Sequence, residues 1–142
     1  MARIDAWFLR IAVLYAIAGM VLGIVMAASQ DHAQMPTHAH VNLLGWASMA
    51  LYAVVYRVWP EAARSRLAWW QFWLANAGTL VLVIGVGGIM QGYPQSFEPL
   101  ASIGSLLSLV AMLLFGVIVF ASVPATESNR EPTDRLARGA AR

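Results

Sequence analysis

The sequence contains no cysteine and no lysine, and it carries little charge of either sign. Without cysteine there can be no disulfide, no thiolate metal site and no cysteine nucleophile. The nine basic residues are all arginine, which reads as coding bias rather than a functional signal. Charged residues make up 11% of the chain, against about 25% in a soluble domain. The acids Asp5, Asp31, Glu61, Glu98, Glu127, Glu131 and Asp134 all fall in loops or near element ends. A proton-relay transporter would place carboxylates at mid-membrane depth, so that class is disfavoured. A formal net charge of +2, spread along the chain, is too weak to indicate nucleic acid. No phosphate-binding loop, catalytic triad or carboxylate pair is present.

What the chain has in abundance is apolar surface, 60% of its residues, gathered in long blocks. A bilayer core of about 30 Å is crossed by about 20 apolar residues in helical form. Backbone groups that find no water must bond within their own segment, so each block is expected to be a helix. The expected fold class is therefore an all-α membrane protein, a four-transmembrane-helix bundle with helices over residues 7–29, 38–58, 68–91 and 99–123. Pro36 is placed to start the second helix, Trp59-Pro60 to stop it, and Gly92-Tyr93-Pro94 to end the third. Residues 61–67 read as a basic loop. Residues 125–142 are polar, lack apolar periodicity and read as a flexible tail.

Arginine placement orients the bundle. Arg3 and Arg10 lie at the start of the first helix, Arg57, Arg64 and Arg66 flank the second connection, and Arg130, Arg135, Arg138 and Arg142 occupy the tail. The first and third connections contain none. Under the positive-inside rule this puts both termini in the cytoplasm and residues 31–37 outside, in a multi-pass protein of the bacterial inner membrane. Arg3, the first apolar run and Ala27-Ala28-Ser29 also follow the outline of a signal peptide. The run is longer than a signal core, and Ala16, Gly19, Gly23 and Ala27 share one face, as in helices that approach closely in lipid. A retained spanning helix is the expectation.

The three histidines, His32, His38 and His40, lie within nine positions at the outer end of the second helix and the loop before it. An ionisable residue at membrane depth is a functional candidate by default. His40 precedes Val41, Leu43 and Leu44 and should dip below the interface. On a helix, His38 and His40 point about 200° apart, so they cannot share one ion unless His38 lies in a non-helical cap. Two readings stand here: histidines resident at headgroup level, or His40 as a haem or metal ligand through neutral imidazole.

The segment Thr37-His38-Ala39-His40-Val41-Asn42-Leu43-Leu44-Gly45-Trp46 resembles the second transmembrane helix of subunit I in the haem-copper oxidase and nitric-oxide reductase superfamily. Gly19-Met20 with Gly23, and Phe72-Trp73-Leu74-Ala75-Asn76-Ala77-Gly78, are also similar to helices one and three of that family. The resemblance implies that His40, in the pattern His40-Val41-Asn42, is an axial ligand of haem b, with His38 orienting or replacing it and Asn42 near the cofactor. It implies a role in respiratory electron transfer, gas sensing or oxidase support. The family's oxygen-reducing centre needs histidines on later helices, and this chain has none after His40, so it does not build that centre alone. A second axial ligand would come from another copy in a homo-oligomer, from a respiratory membrane complex, or from a methionine such as Met49 or Met90.

The alternative uses the same segment differently. Met26, His32, Met35, His38 and His40 form a Met/His-rich patch whose soft ligands suit copper, as in a non-enzymatic protein that handles copper or serves a respiratory complex. The remaining features read as structure. Gly85, Gly88 and Gly92 indicate helix packing, and Ser105 and Ser108 back-bonding or cross-helix bonds. Asn42 and Asn76 should bond each other or a haem propionate. Trp46 should pack inside, Arg57 should snorkel, and Arg10 should snorkel or pair with Asp5.

Overall fold

The computed structural model describes residues 3–122. Helix α1 runs Ile4–Ser29, α2 Met35–Val58, the short α3 Pro60–Arg64, α4 Arg66–Met90 and α5 Pro94–Ser122. No strand occurs among the described residues. Four of these helices are long and apolar enough to cross a membrane, and their lengths correspond to about 36–44 Å, more than a hydrocarbon core requires. The bilayer is therefore the environment these surfaces fit. The tail expected over residues 125–142 lies outside the described residues.

Each long helix begins earlier than hydropathy alone indicates, because helices continue through the headgroup layer where side chains turn polar. Asp5 sits in the first turn of α1, where a carboxylate suits the positive end of the helix dipole. Pro36 does occupy the first turn of α2. Ser65 caps α4, its hydroxyl accepting from the Leu67 N–H at 3.2 Å. The chain expected as a basic loop after Pro60 folds instead into α3, started by that proline and closed by an ion pair between Arg64 and Glu61. α5 starts at Pro94, so Pro99 lies inside it and removes one backbone donor near its beginning. Gly92, at φ +93°, makes the turn between α4 and α5.

Helices α4 and α5 are antiparallel and pack through glycines. Gly85 faces the backbone of Ala101, Gly88 the ring of Phe97, and Gly104 the backbone of Leu82. Gly78 faces Ser108, whose backbone nitrogen lies 2.7 Å from where a Cβ would stand. In lipid there is no hydrophobic drive between helices, so close backbone approach and the dispersion it brings hold them together. Ser105 bonds back to the Ala101 carbonyl at 2.8 Å, whereas the buried Ser108 hydroxyl has no partner among the described residues. It borders a cavity of about 210 Å³ between α2, α4 and α5, lined also by Met49, Tyr52 and Thr79.

The arginine-bearing end is knit by aromatics. Phe8 of α1 meets Tyr52 at 5.4 Å, Tyr56 at 5.7 Å and Phe72 at 4.9 Å between ring centres, and Phe115 of α5 meets Tyr52 at 4.6 Å. Tyr56 donates to Gln71 Oε1 at 3.2 Å within this core, while Gln71 Nε2, fully buried, meets no acceptor among the described residues. Trp46 is not inside the bundle as its depth suggested. It is 49% exposed, because the neighbouring Gly45 is the residue turned onto α1. Arg10 stacks over Trp7, 5.2 Å from the ring centre, and does not pair with Asp5.

Replacing Gly85 with Leu drives a side chain into the Ala101 backbone and should destabilise the bundle by about 1–3 kcal/mol. Gly116, which has open space beside it, should accept Leu with little change. Melting temperatures of the two variants in detergent check the contrast.

Candidate functional site

The histidine segment is anchored to α4 at its loop end. Gln34 Nε2 donates to the Gly87 carbonyl at 3.3 Å, and the buried Thr37 donates through its hydroxyl to Gln34 Oε1 at 2.7 Å. The loop before it is shaped by Asp31, whose carboxylate accepts from the Ala33 N–H at 2.9 Å. Met35 through His40 are α-helical, so His38 is not in an irregular cap. From Val41 to Ser48 the helix widens into π geometry, and Ser48 bonds back to the Leu43 carbonyl at 2.8 Å. Such stretches concentrate at functional sites in proteins generally; no hydropathy pattern distinguishes them from α-helix.

One face of α2 locks into α1 as alternating bulk and gap. Tyr15 fills the space at Gly45, Asn42 the space at Gly19, and the His38 ring the space at Gly23. A Cβ at Gly19 would stand 2.6 Å from the Asn42 amide atoms, and one at Gly23 would stand 3.1 Å from His38 Cε1. The small-residue stripe of α1 is thus an interface, with its partners now identified. Asn42 lies across the His38 imidazole, its Nδ2 3.4 Å from both ring nitrogens, and donates to the His38 carbonyl at 2.8 Å. Asn76 likewise donates to its own helix, to the Phe72 carbonyl at 2.7 Å. Each asparagine satisfies its amide locally, four residues back, and the two do not bond each other.

His40 is arranged differently. Its Nδ1 lies 2.7 Å from the Pro36 carbonyl. A carbonyl only accepts, so Nδ1 carries the proton in this contact, and the neutral ring would present its lone pair at Nε2. This is the tautomer in which histidines ligate metals, the second nitrogen being fixed by a backbone carbonyl. The ring is half-buried on the side of α2 that also carries the exposed Leu43. His38 and His40 are therefore not brought together. His32 is exposed in the loop, its Nδ1 3.3 Å from the Gln30 carbonyl, and Met35 is 57% exposed. Met26 is buried on α1. Among the described residues no group of three or more His, Cys, Asp or Glu side chains is placed to hold one ion.

The methionines differ too. Met49 is fully buried and lies nine residues beyond His40, more than about 10 Å along the helix. Met90, half-buried, lies three residues beyond Gly87, the residue that Gln34 meets, on the side toward the loop and away from His40. The residues that sequence reasoning passed over are Gln34 and Thr37, which fix the segment, and Pro36 as acceptor for His40. The i, i+4 spacing of Pro36 and His40 was the available signal.

Compared with models of known protein families, with curated proteins and with solved structures, the chain matches none.

Gly19→Ala alone crowds the Asn42 amide, and Asn42→Ala alone empties that notch. Combined, the two changes should relieve each other, giving a coupling of about 0.5–3 kcal/mol. A double-mutant cycle on thermal unfolding in detergent measures it, and simple additivity would contradict the packing described.

Proposed function

We propose that this chain is a haem-copper-oxidase subunit I-like protein of the bacterial inner membrane, multi-pass with both termini cytoplasmic, that binds haem b through His40. Its role is in respiratory electron transfer, gas sensing or the support of an oxidase. The observation that carries this reading is the His40 tautomer, with Nδ1 held by the Pro36 carbonyl at 2.7 Å and Nε2 free at the rim of the bundle. The donor that would hold the haem is the Nε2 of His40, with its ring positioned by the Pro36 carbonyl. A haem supplies one-electron chemistry and, with an open position, gas binding. His40 binds, and Pro36 sets its tautomer and ring direction. His38 and Asn42 act one step back, holding α2 against α1 so that the ring keeps its bearing. A second ligand would come from another copy of the chain or from a membrane partner, since His38 is turned into the Gly23 notch, Met49 lies far down the helix and Met90 lies beyond the level of Gln34.

A copper-handling role is the second reading. It rests on the same free Nε2 together with His32 and Met35, both exposed at the outer loop.

Protein purified in detergent from haem-replete cells should show a Soret band and reduced-minus-oxidised bands. His40→Ala should abolish them, while His38→Ala and Met49→Leu should retain them. Absence of any band in the wild type overturns the haem reading, and copper bound without a Soret band selects the alternative. A C-terminal reporter should be active only as a cytoplasmic fusion.

A further inference from the structure

The arginine-bearing end holds a second feature, distant from the histidines. Arg3, Arg57 and Arg64 border a cleft of about 530 Å³ with Asp5, Tyr56 and Trp69. Arg3 pairs with Asp5 and Arg64 with Glu61, so Arg57 is the guanidinium here whose donors are uncommitted among the described residues. Asp5 is the fixed point. Its side chain is only 13% exposed, and it pairs with Arg3 at 2.7 Å while Arg57 stands 4.0 Å away. That longer distance is outside hydrogen-bond range, so the donors of Arg57 remain available to another oxygen. Arg3, Asp5 and Arg57 also border a second, adjoining groove of about 280 Å³ between α1 and α2, whose other walls are the apolar Ala6, Leu9, Ala53, Val54 and Val58. A cationic cleft thus opens directly onto an apolar trough that runs along the membrane-facing surface.

We propose that this paired feature is a binding site for an anionic phospholipid, with the headgroup phosphate among Arg3, Arg57 and Arg64 and one acyl chain along Leu9, Ala53, Val54 and Val58. Charge complementarity selects the headgroup, since guanidinium groups pair with phosphate oxygens through two parallel N–H bonds. Basic pockets between transmembrane helices are where such headgroups lodge. The adjacency of the trough selects a lipid over a free anion. Asp5 keeps Arg3 in place, and its own charge is matched within the chain.

The test uses the full chain in a neutral detergent and native mass spectrometry. Phosphatidylglycerol and phosphatidylcholine of the same acyl composition are compared, with and without millimolar inorganic phosphate. The wild type should retain phosphatidylglycerol at least tenfold more, since each arginine near a headgroup contributes about fivefold. Arg57→Gln with Arg64→Gln should bring the two lipids to near parity. Val54→Trp, which blocks the trough but leaves every charge, should weaken phosphatidylglycerol retention. Equal retention by the wild type, or an unchanged preference in the arginine variant, overturns the site. Displacement by inorganic phosphate together with no effect of Val54→Trp overturns the lipid assignment. Should the arginine variant fail to fold, the wild-type comparison and Val54→Trp still decide.

Discussion

Two antiparallel helix pairs approach so closely that a single methyl group would part them, and the rest of the architecture depends on that approach. In α4–α5 the gaps are at Gly78, Gly85, Gly88 and Gly104. In α1–α2 they are at Gly19, Gly23 and Gly45. A soluble bundle draws its helices together by expelling water from apolar side chains. In hydrocarbon that drive vanishes, and contact density at short range replaces it. The difference between the pairs is what fills the gaps. Backbone and a phenyl ring fill most of those of α4–α5, with the Ser108 hydroxyl beside Gly78, whereas larger polar side chains, Asn42 and His38, fill two of those on α1. That substitution of polar for apolar filling occurs beside the histidine proposed to bind.

The number and approximate span of the helices could be read from the sequence because bilayer thickness acts on composition directly. A residue such as Leu106 or Val110 needs no partner to be placed; it needs only to be apolar over the right length. Helix ends were less legible because Asp5, Ser65 and Pro94 work in the headgroup layer, where polarity no longer distinguishes helix from loop. The glycine stripe of α1 was legible as an interface but its partners were not, since spacing states which face is small and not what lies opposite. Trp46 was misplaced for the same reason. Depth along a helix was known, whereas rotation depended on which neighbour, Gly45, could come nearest to Tyr15.

For the candidate site, the segment was found and the division of labour within it was not. His38 and His40 are alike in composition, depth and distance from the loop. What separates them is that Pro36 offers a carbonyl to one ring, while Gly23 offers a recess to the other. Hydrogen-bond direction then assigns the proton on His40 with no appeal to burial or charge. The π-helical stretch begins at Val41, so the outward ring stands on the last α-helical residue, His40, and the amide that faces α1 on the second residue of the wound stretch, Asn42.

Gln71 has a quieter consequence. Its carboxamide accepts from Tyr56, yet both hydrogens on Nε2 are left in the most crowded part of the molecule. An unmet donor of this kind carries a penalty of about 1–3 kcal/mol. The arginine-bearing end of the bundle thus combines interlocking rings with one buried donor that no described residue meets. The strain is borne by a single nitrogen, at the opposite pole from the outward-facing imidazole.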